Sequence, residues 1–323
     1  MRPHRKQTST TLVLAIWGIN AFAVLMILLV VMVYWARQSA QAASPQTPTV
    51  TLQPSLTPYP TRYDLPTVTR NPLSTEIVVQ TPTPFVFSNT SRALPIGMSV
   101  SGRSIEVYTF GTGARQVMVV AGIHGGYEWN TIALADQMIL YLTDHPEIVP
   151  SDVTLYILRN LNPDGDARDH GIDGRVNDHG VDLNRNFPVN WSATWDRSGC
   201  FDQAPTTSGL GPGSEPETVA VMNFLIYRKI EALISYHSAA LGIFPGGSPW
   251  DEESIRLAQQ IADVSNYPYP PVETGCVYTG TLADHAVSRG AAAVDMELSD
   301  HLHTEFSVNL RVLKVLLNFS KQE

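Results

Sequence analysis

Beyond residue 95, this 323-residue sequence predicts an α/β fold with a mixed, mostly parallel sheet flanked by helices, preceded by one transmembrane helix and a Pro/Thr-rich stalk. Continuous apolar, β-rich runs recur at 116–123, 153–158, 232–236 and 292–296. Helical patterns alternate with them at 129–142, 215–228, 251–264 and about 304–319. Strands without polar interruption imply a sheet covered on both faces, and alternation with helices supplies the cover. The segment 98–110 reads as an antiparallel hairpin at the sheet edge.

The N-terminal third has another character. Residues 11–35 carry no charge over a span longer than the roughly twenty residues a bilayer requires, so they are read as a membrane anchor. Arg2, Arg5 and Lys6 precede them and place residues 1–10 in the cytoplasm as a basic tail, with the rest of the chain outside. The competing reading is a cleaved signal peptide ending near Ala40-Gln41-Ala42, but the apolar run is too long for an ordinary leader. Residues 36–95 are rich in Pro and Thr and cannot bury a core, so they form a linker before a catalytic-domain candidate at 96–323.

Charge divides at the same place. Residues 1–95 hold seven basic and two acidic side chains, net +5, which leaves −14 on 96–323 out of a whole-chain charge of −9. A domain this acidic is poorly suited to nucleic acid and suits a cationic substrate. The chain has two cysteines, Cys200 and Cys276, too few for a disulfide scaffold and without zinc-ribbon spacing. One disulfide between them fits an oxidising compartment; two unrelated thiols are the alternative.

Ligand sites in α/β sheets form beyond the carboxyl ends of strands, and each strand end here carries a chemical group. The first ends in Gly122-Ile123-His124-Gly125-Gly126-Tyr127-Glu128, with His124 and Glu128 four apart at a helix start. A loop histidine and a glutamate at the helix N-terminus would be the structural explanation of that pair. The second leads to Asn162-Pro163-Asp164-Gly165, an ordinary turn by itself. The third ends in Ser235-Tyr236-His237-Ser238, where His237 is either a third ligand or a hydrogen-bonded core histidine. Two histidines, a carboxylate and an open position are the pattern of hydrolytic zinc. The fourth ends in Asp295-Met296-Glu297-Leu298, with Asp295 and Glu297 on one face; a general base or a salt bridge would each explain an acid there. Between them lies the polar run 175–187, closing on Val181-Asp182-Leu183-Asn184-Arg185-Asn186-Phe187. Its short polar side chains fit neither a core layer nor a solvated helix, and make sense if they converge on an anion.

In this order the motifs resemble the zinc carboxypeptidase family, the metallopeptidases like carboxypeptidase A, and Ser214-Glu215-Pro216-Glu217-Thr218 adds to the likeness. It covers about residue 98 onward, and the short loops are more similar to the compact bacterial members. The resemblance implies one Zn2+ held by His124, Glu128 and His237, with Asp182 behind His124. It implies Arg175 on the oxyanion, Asn184 and Arg185 on the substrate's C-terminal carboxylate, and Glu297 as base toward zinc-bound water. Tyr278 is the candidate for a tyrosine closing over that carboxylate. One departure is visible: the family has two residues between its first His and Glu, and here there are three.

Asp295, expected to line the same cleft, suggests a terminal residue bearing a cation or amine; pairing with an arginine is the alternative. The implied partner is a peptide with a free C-terminal carboxylate outside the cytoplasm, cut by a membrane-anchored monomer. A zinc amidohydrolase of small amino-acid conjugates, or an inactive module binding peptide termini, are the competing functions.

Overall fold

The computed structural model describes residues 93–239 and 242–322, together with the isolated positions Met26 and Met32. Apart from those two positions, the expected anchor (11–35), its basic tail and nearly all of the linker therefore lie outside the described residues. Among the described residues no helix is long and apolar enough to cross a membrane.

Seven strands form one sheet: β1 (Ala93–Met98), β2 (Ser104–Gly111), β3 (Arg115–Val120), β4 (Val153–Leu158), β5 (Ile230–Ser238), β6 (Ile243–Pro245) and β7 (Ala292–Leu298), in the order β1-β2-β4-β3-β5-β7-β6. β4, β3, β5 and β7 run parallel, whereas β1–β2, β2–β4 and β6–β7 pair antiparallel. The expectation of a mostly parallel sheet is thus corrected to an evenly mixed one. The physical reason lies at the edges: β2 alternates buried and partly exposed residues as a one-sided antiparallel strand does, and β6 is only three residues long. The expected hairpin at 98–110 is present but starts earlier, at Ala93.

Alternate side chains of the central strands feed two apolar layers. Val117, Val119, Leu155, Ile157, Ile234 and Val294 pack on one face. That face is covered by α1 (Trp129–Asp144), α4 (Glu252–Ser265) and α6 (Phe306–Asn318). Met118, Val120, Tyr156, Leu158 and Leu233 point the other way, toward α3 (Pro216–Tyr227) and α5 (Leu282–Ser288). Helix starts are written in local chemistry. Asp251 accepts the Ser254 N–H, Thr281 accepts the Asp284 N–H, and α3 opens with Pro216 in its first turn. The Asn162-Pro163-Asp164-Gly165 turn also proves to be a helix start. Asn162 accepts the Gly165 N–H at 2.9 Å and caps α2 (Pro163–Arg168). Because β3, β5 and β7 are parallel, His124, His237 and Glu297 emerge at one edge of the sheet.

Candidate metal centre and cleft

His124 leaves the end of β3 and is followed by a 3-10 turn, Gly125–Glu128, that delivers Glu128 to the start of α1. The pair therefore does not share one regular helix face; the tighter turn absorbs the additional residue. Both glycines are needed for it. A Cβ on Gly125, which has φ +46°, would lie 2.7 Å from the Gly174 carbonyl oxygen, and one on Gly126 would lie 2.0 Å from that of Asp169. The turn is pressed against the loop carrying Arg175, so the two halves of the site are built on one another.

His124, Glu128 and His237 are all buried, with ligand-type atoms within 4.8 Å of one another. His124 Nδ1 lies 2.7 Å from Glu128 Oε1, and His237 Nδ1 lies 3.3 Å from both His124 Nδ1 and Glu128 Oε2. Ligands about 2.0–2.1 Å from a tetrahedral zinc would stand about 3.3 Å apart, so this spacing needs little adjustment. Each ring turns its other nitrogen outward to a partner: His124 Nε2 to Asp182 Oδ1 at 3.1 Å, and His237 Nε2 to Ser235 Oγ at 3.1 Å. Such outer partners orient metal-binding imidazoles. Glu128 Oε2 is buried without a hydrogen bond, as a carboxylate reserved for a cation would be. Burial works to raise the Glu128 carboxyl, but His124 and His237 hold it well below the carboxylate range. Burial would lower His237; Asp295 and Glu128 outweigh it and raise the imidazole well above its ordinary value. The donor set fits a divalent metal.

Asp182 joins the metal group to the polar loop. Its Oδ2 accepts Arg175 Nε at 3.0 Å and Nη2 at 2.9 Å, while Oδ1 accepts the Asn184 N–H at 3.0 Å. Burial acts to raise this carboxyl, and Arg175 followed by His124 pulls it well below the usual range. Arg175 Nη1, the nitrogen not committed to Asp182, lies 3.5 Å from Glu128 Oε1 on the cleft side.

Arg185 is only 4% exposed, yet it has no carboxylate within ion-pair distance among the described residues. Its Nη1 donates to the neighbouring Asn184 carbonyl at 2.8 Å, Nη2 approaches Cys276 Sγ at 3.9 Å, and Nε has no partner. Burial, helped by the Arg175 charge, draws its pKa down. The Tyr278 ring lies 5.2 Å from the guanidinium carbon and the Trp195 ring 5.7 Å. Cys200 and Cys276 form the disulfide that ties these two walls together.

The structure gives two of the expected substrate contacts other work. Asn184 Nδ2 points to His237 Nε2 (3.4 Å) and Asp295 Oδ2 (3.2 Å), and its Oδ1 accepts the Leu282 N–H at 2.9 Å. Its amide is therefore occupied in bracing His237 and α5. Asp295 lines the cleft but faces Asn184 and, at 3.5 Å, His237 Nε2; among the described residues no arginine pairs with it. Glu297 and Tyr278 both line the cleft, which has a volume of about 980 Å³.

Sequence reasoning passed over several contributors. Ser235, two residues before His237 on the same strand face, was readable by period-2 alternation. Asn177 and Asn186 are the hidden frame of the polar run. Asn177 Nδ2 donates to Glu215 and Glu217, and Asn186 Oδ1 accepts the Glu215 N–H, which explains the Ser214–Thr218 motif as a seat for the loop. Asp284, Tyr127, Phe201 and His301 also line the cleft and come from segments with no periodic signal.

Comparison with known proteins gives a consistent picture. The sequence model of the family described as "Zinc carboxypeptidase" matches residues 86–308. Carboxypeptidase O of Homo sapiens is 44% identical over 96 residues, 27% of this chain and 25% of that protein. Carboxypeptidase A5 of Macaca fascicularis is 32% identical over 169 residues, 45% of this chain and 37% of that protein. The chain thus spans well under half the length of these curated relatives. Among solved structures, carboxypeptidase A from Helicoverpa armigera shares the fold with a TM-score of 0.56 at 21% identity, covering 69% of this chain and 66% of that one. The murein-tripeptide amidase MpaA from Escherichia coli O157 does so with a TM-score of 0.54 at 20% identity, covering 72% and 93%.

Proposed function

The chain belongs to the zinc carboxypeptidase family, and from that premise we propose that it is a metallocarboxypeptidase releasing the last residue of peptides that have a free C-terminal carboxylate. The observation that carries this reading is Arg185: a buried guanidinium with an unused N–H, opening on the cleft that holds the His124–Glu128–His237 group. Burying an unpaired cation is unfavourable, so a site that does so is built for an arriving anion.

The substrate carboxylate docks on Arg185, with the Tyr278 ring beside it. This fixes the last peptide bond against the metal group, with Arg175 and Glu297 at hand. His124, Glu128 and His237 would hold the zinc, which when bound would supply Lewis acidity for addition of water to the scissile carbonyl. Glu297 accepts a proton from the attacking water as the O–C bond forms, and returns it to the leaving nitrogen as the C–N bond breaks. Arg175 donates through Nη1 to the oxyanion, while its other nitrogens stay anchored on Asp182. Asp182 holds His124 and Arg175 together, and Asn184 braces His237.

The terminal residue is a cationic or amine-bearing one, such as Lys, Arg or diaminopimelate. Five carboxylates (Glu128, Glu273, Asp284, Asp295 and Glu297) line the described cleft against two guanidiniums, so negative charge remains even with a divalent metal bound. Asp284, only 9% exposed, accepts from the Gly247 N–H and Asn190 but has no cationic partner among the described residues. Phe244 and Trp250 supply apolar wall for the stem of a long side chain. A preference for C-terminal Leu or Phe over Lys would contradict this assignment.

The protein acts as a monomer outside the cytoplasm, tethered through residues 11–35. The uncharged stretch and a disulfide suited to an oxidising compartment support this. Release from membranes by alkaline carbonate would count against the tether. For the activity, Glu297→Gln should abolish release of C-terminal residues and retain metal; wild-type protein that releases none from any peptide would overturn the reading.

A further inference from the structure

Three half-buried aromatic rings in the cleft have no part in the chemistry above. Tyr127 comes from the turn behind His124, Phe201 follows the disulfide-bonded Cys200, and His301 lies on the loop after β7. They touch in a row: Tyr127 and His301 centroids are 4.5 Å apart, and Tyr127 and Phe201 meet edge-on at 5.4 Å. Arg175 extends the row, its guanidinium carbon 4.4 Å from the Phe201 centroid and 5.7 Å from that of Tyr127.

The row is held firmly. Ser238 Oγ and His301 Nδ1 are 2.8 Å apart, and Asn130 Nδ2 donates to the carbonyls of Asp300 and His303 on either side. Aromatic rings lining a cleft, on three separately anchored segments, form a preorganised surface for a flat apolar group.

Its place relative to the substrate follows from Arg175. Arg185 sits with Tyr278 at one part of the cleft, whereas Tyr127 and Phe201 lie under Arg175, next to Glu128. A peptide with its terminal carboxylate on Arg185 and its last carbonyl at Arg175 carries its preceding residue onward past Arg175. We propose that Tyr127, Phe201 and His301 form the wall that receives that penultimate side chain and selects an aromatic one. The proposal rests on the carboxypeptidase reading and adds a specificity on the amino side of the cut bond.

The test compares N-acyl-Phe-Xaa with N-acyl-Gly-Xaa, where Xaa is the best terminal residue, using the full chain. Stacking on such a wall should favour penultimate Phe about tenfold in kcat/KM. His301→Ala and Phe201→Ala should each reduce this ratio to about twofold, and His301→Phe should restore it although the bond to Ser238 is gone. The ratio is internal to each variant, so partial misfolding leaves it readable. A wild-type ratio below two, a ratio untouched by both alanine variants, or a change confined to selection of the terminal residue would each overturn the proposal. Those outcomes leave the exopeptidase reading standing; failure to release any terminal residue removes both.

Discussion

Replacing Asp182 by Asn changes shape very little and removes one negative charge from beneath the metal group. The carboxylate accepts four hydrogen bonds: from His124 Nε2, the Asn184 N–H, and Arg175 Nε and Nη2. An asparagine offers one acceptor and one donor end. If its NH2 faces Arg175, two guanidinium N–H groups lose their acceptor; if it faces the other way, the Asn184 N–H and the His124 N–H lose theirs. In both orientations the buried Arg175 loses its counter-ion. Breaking a buried pair by removing one partner costs about 3–5 kcal/mol. Loss of the partner that orients a ligand imidazole weakens metal binding by about 10–100-fold, or roughly 1.4–2.7 kcal/mol. Urea unfolding of metal-free protein reads the first term, and zinc titration against a competing chelator reads the second. Zinc affinity within threefold of wild type, with unfolding free energy unchanged, would refute the reasoning that Asp182 supports both His124 and Arg175.

Three further outcomes follow from neighbouring features. Asn177→Ala removes the donor shared by Glu215 and Glu217 and should lower kcat/KM about tenfold or more through the Arg175 loop, with a smaller change in zinc affinity; equal losses in both would contradict this. Burial raises the Glu217 carboxyl, so its contribution to stability is fully present below the ordinary glutamate range and is lost as pH rises through the raised value. Glu217→Gln should therefore flatten the fall in Tm as pH rises from about 4.3 toward neutrality, and a melting curve as pH-dependent as wild type would argue against it. Cutting the Cys200–Cys276 bond as Cys276→Ser should destabilise by about 4 kcal/mol for a loop of this size. It should also raise KM, because Tyr278 and Phe201 adjoin the bonded cysteines; an unchanged KM would separate the disulfide from the cleft.

Much of the site was readable because its groups sit in short motifs at ends of strands that the apolar runs betray. Strand-end placement singles out His124, His237 and Glu297 as candidates, the family resemblance gives them roles, and the parallel order of β3, β5 and β7 brings them together. Less was readable where direction or partnership decides. Strand orientation is not written in burial, so the antiparallel hairpin at one edge is legible whereas the three-residue β6 at the other is not, and the sheet is more evenly mixed than its apolar runs suggest. Asn184 and Asp295 are expected to touch substrate; only side-chain contacts between segments distant in sequence reveal that both face His237. The additional residue between His124 and Glu128 is a legible departure that a glycine pair can absorb; what the sequence hides is why glycine is required there, the close approach of Asp169 and Gly174, distant in sequence. Asp284 and His301 belong to a seven-residue helix and a loop, too short for periodicity to mark them.

In the proposed function, Arg185 waits for a terminal carboxylate beside a metal-binding group. The measurement that tests it most directly is kcat/KM of the zinc-loaded full chain for one peptide as free acid and as C-terminal amide, in wild type and Arg185→Ala. A buried guanidinium with no carboxylate at ion-pair distance among the described residues predicts at least a hundredfold preference for the acid, collapsing in the variant while zinc stays bound. Equal turnover of acid and amide by the wild type would contradict the account.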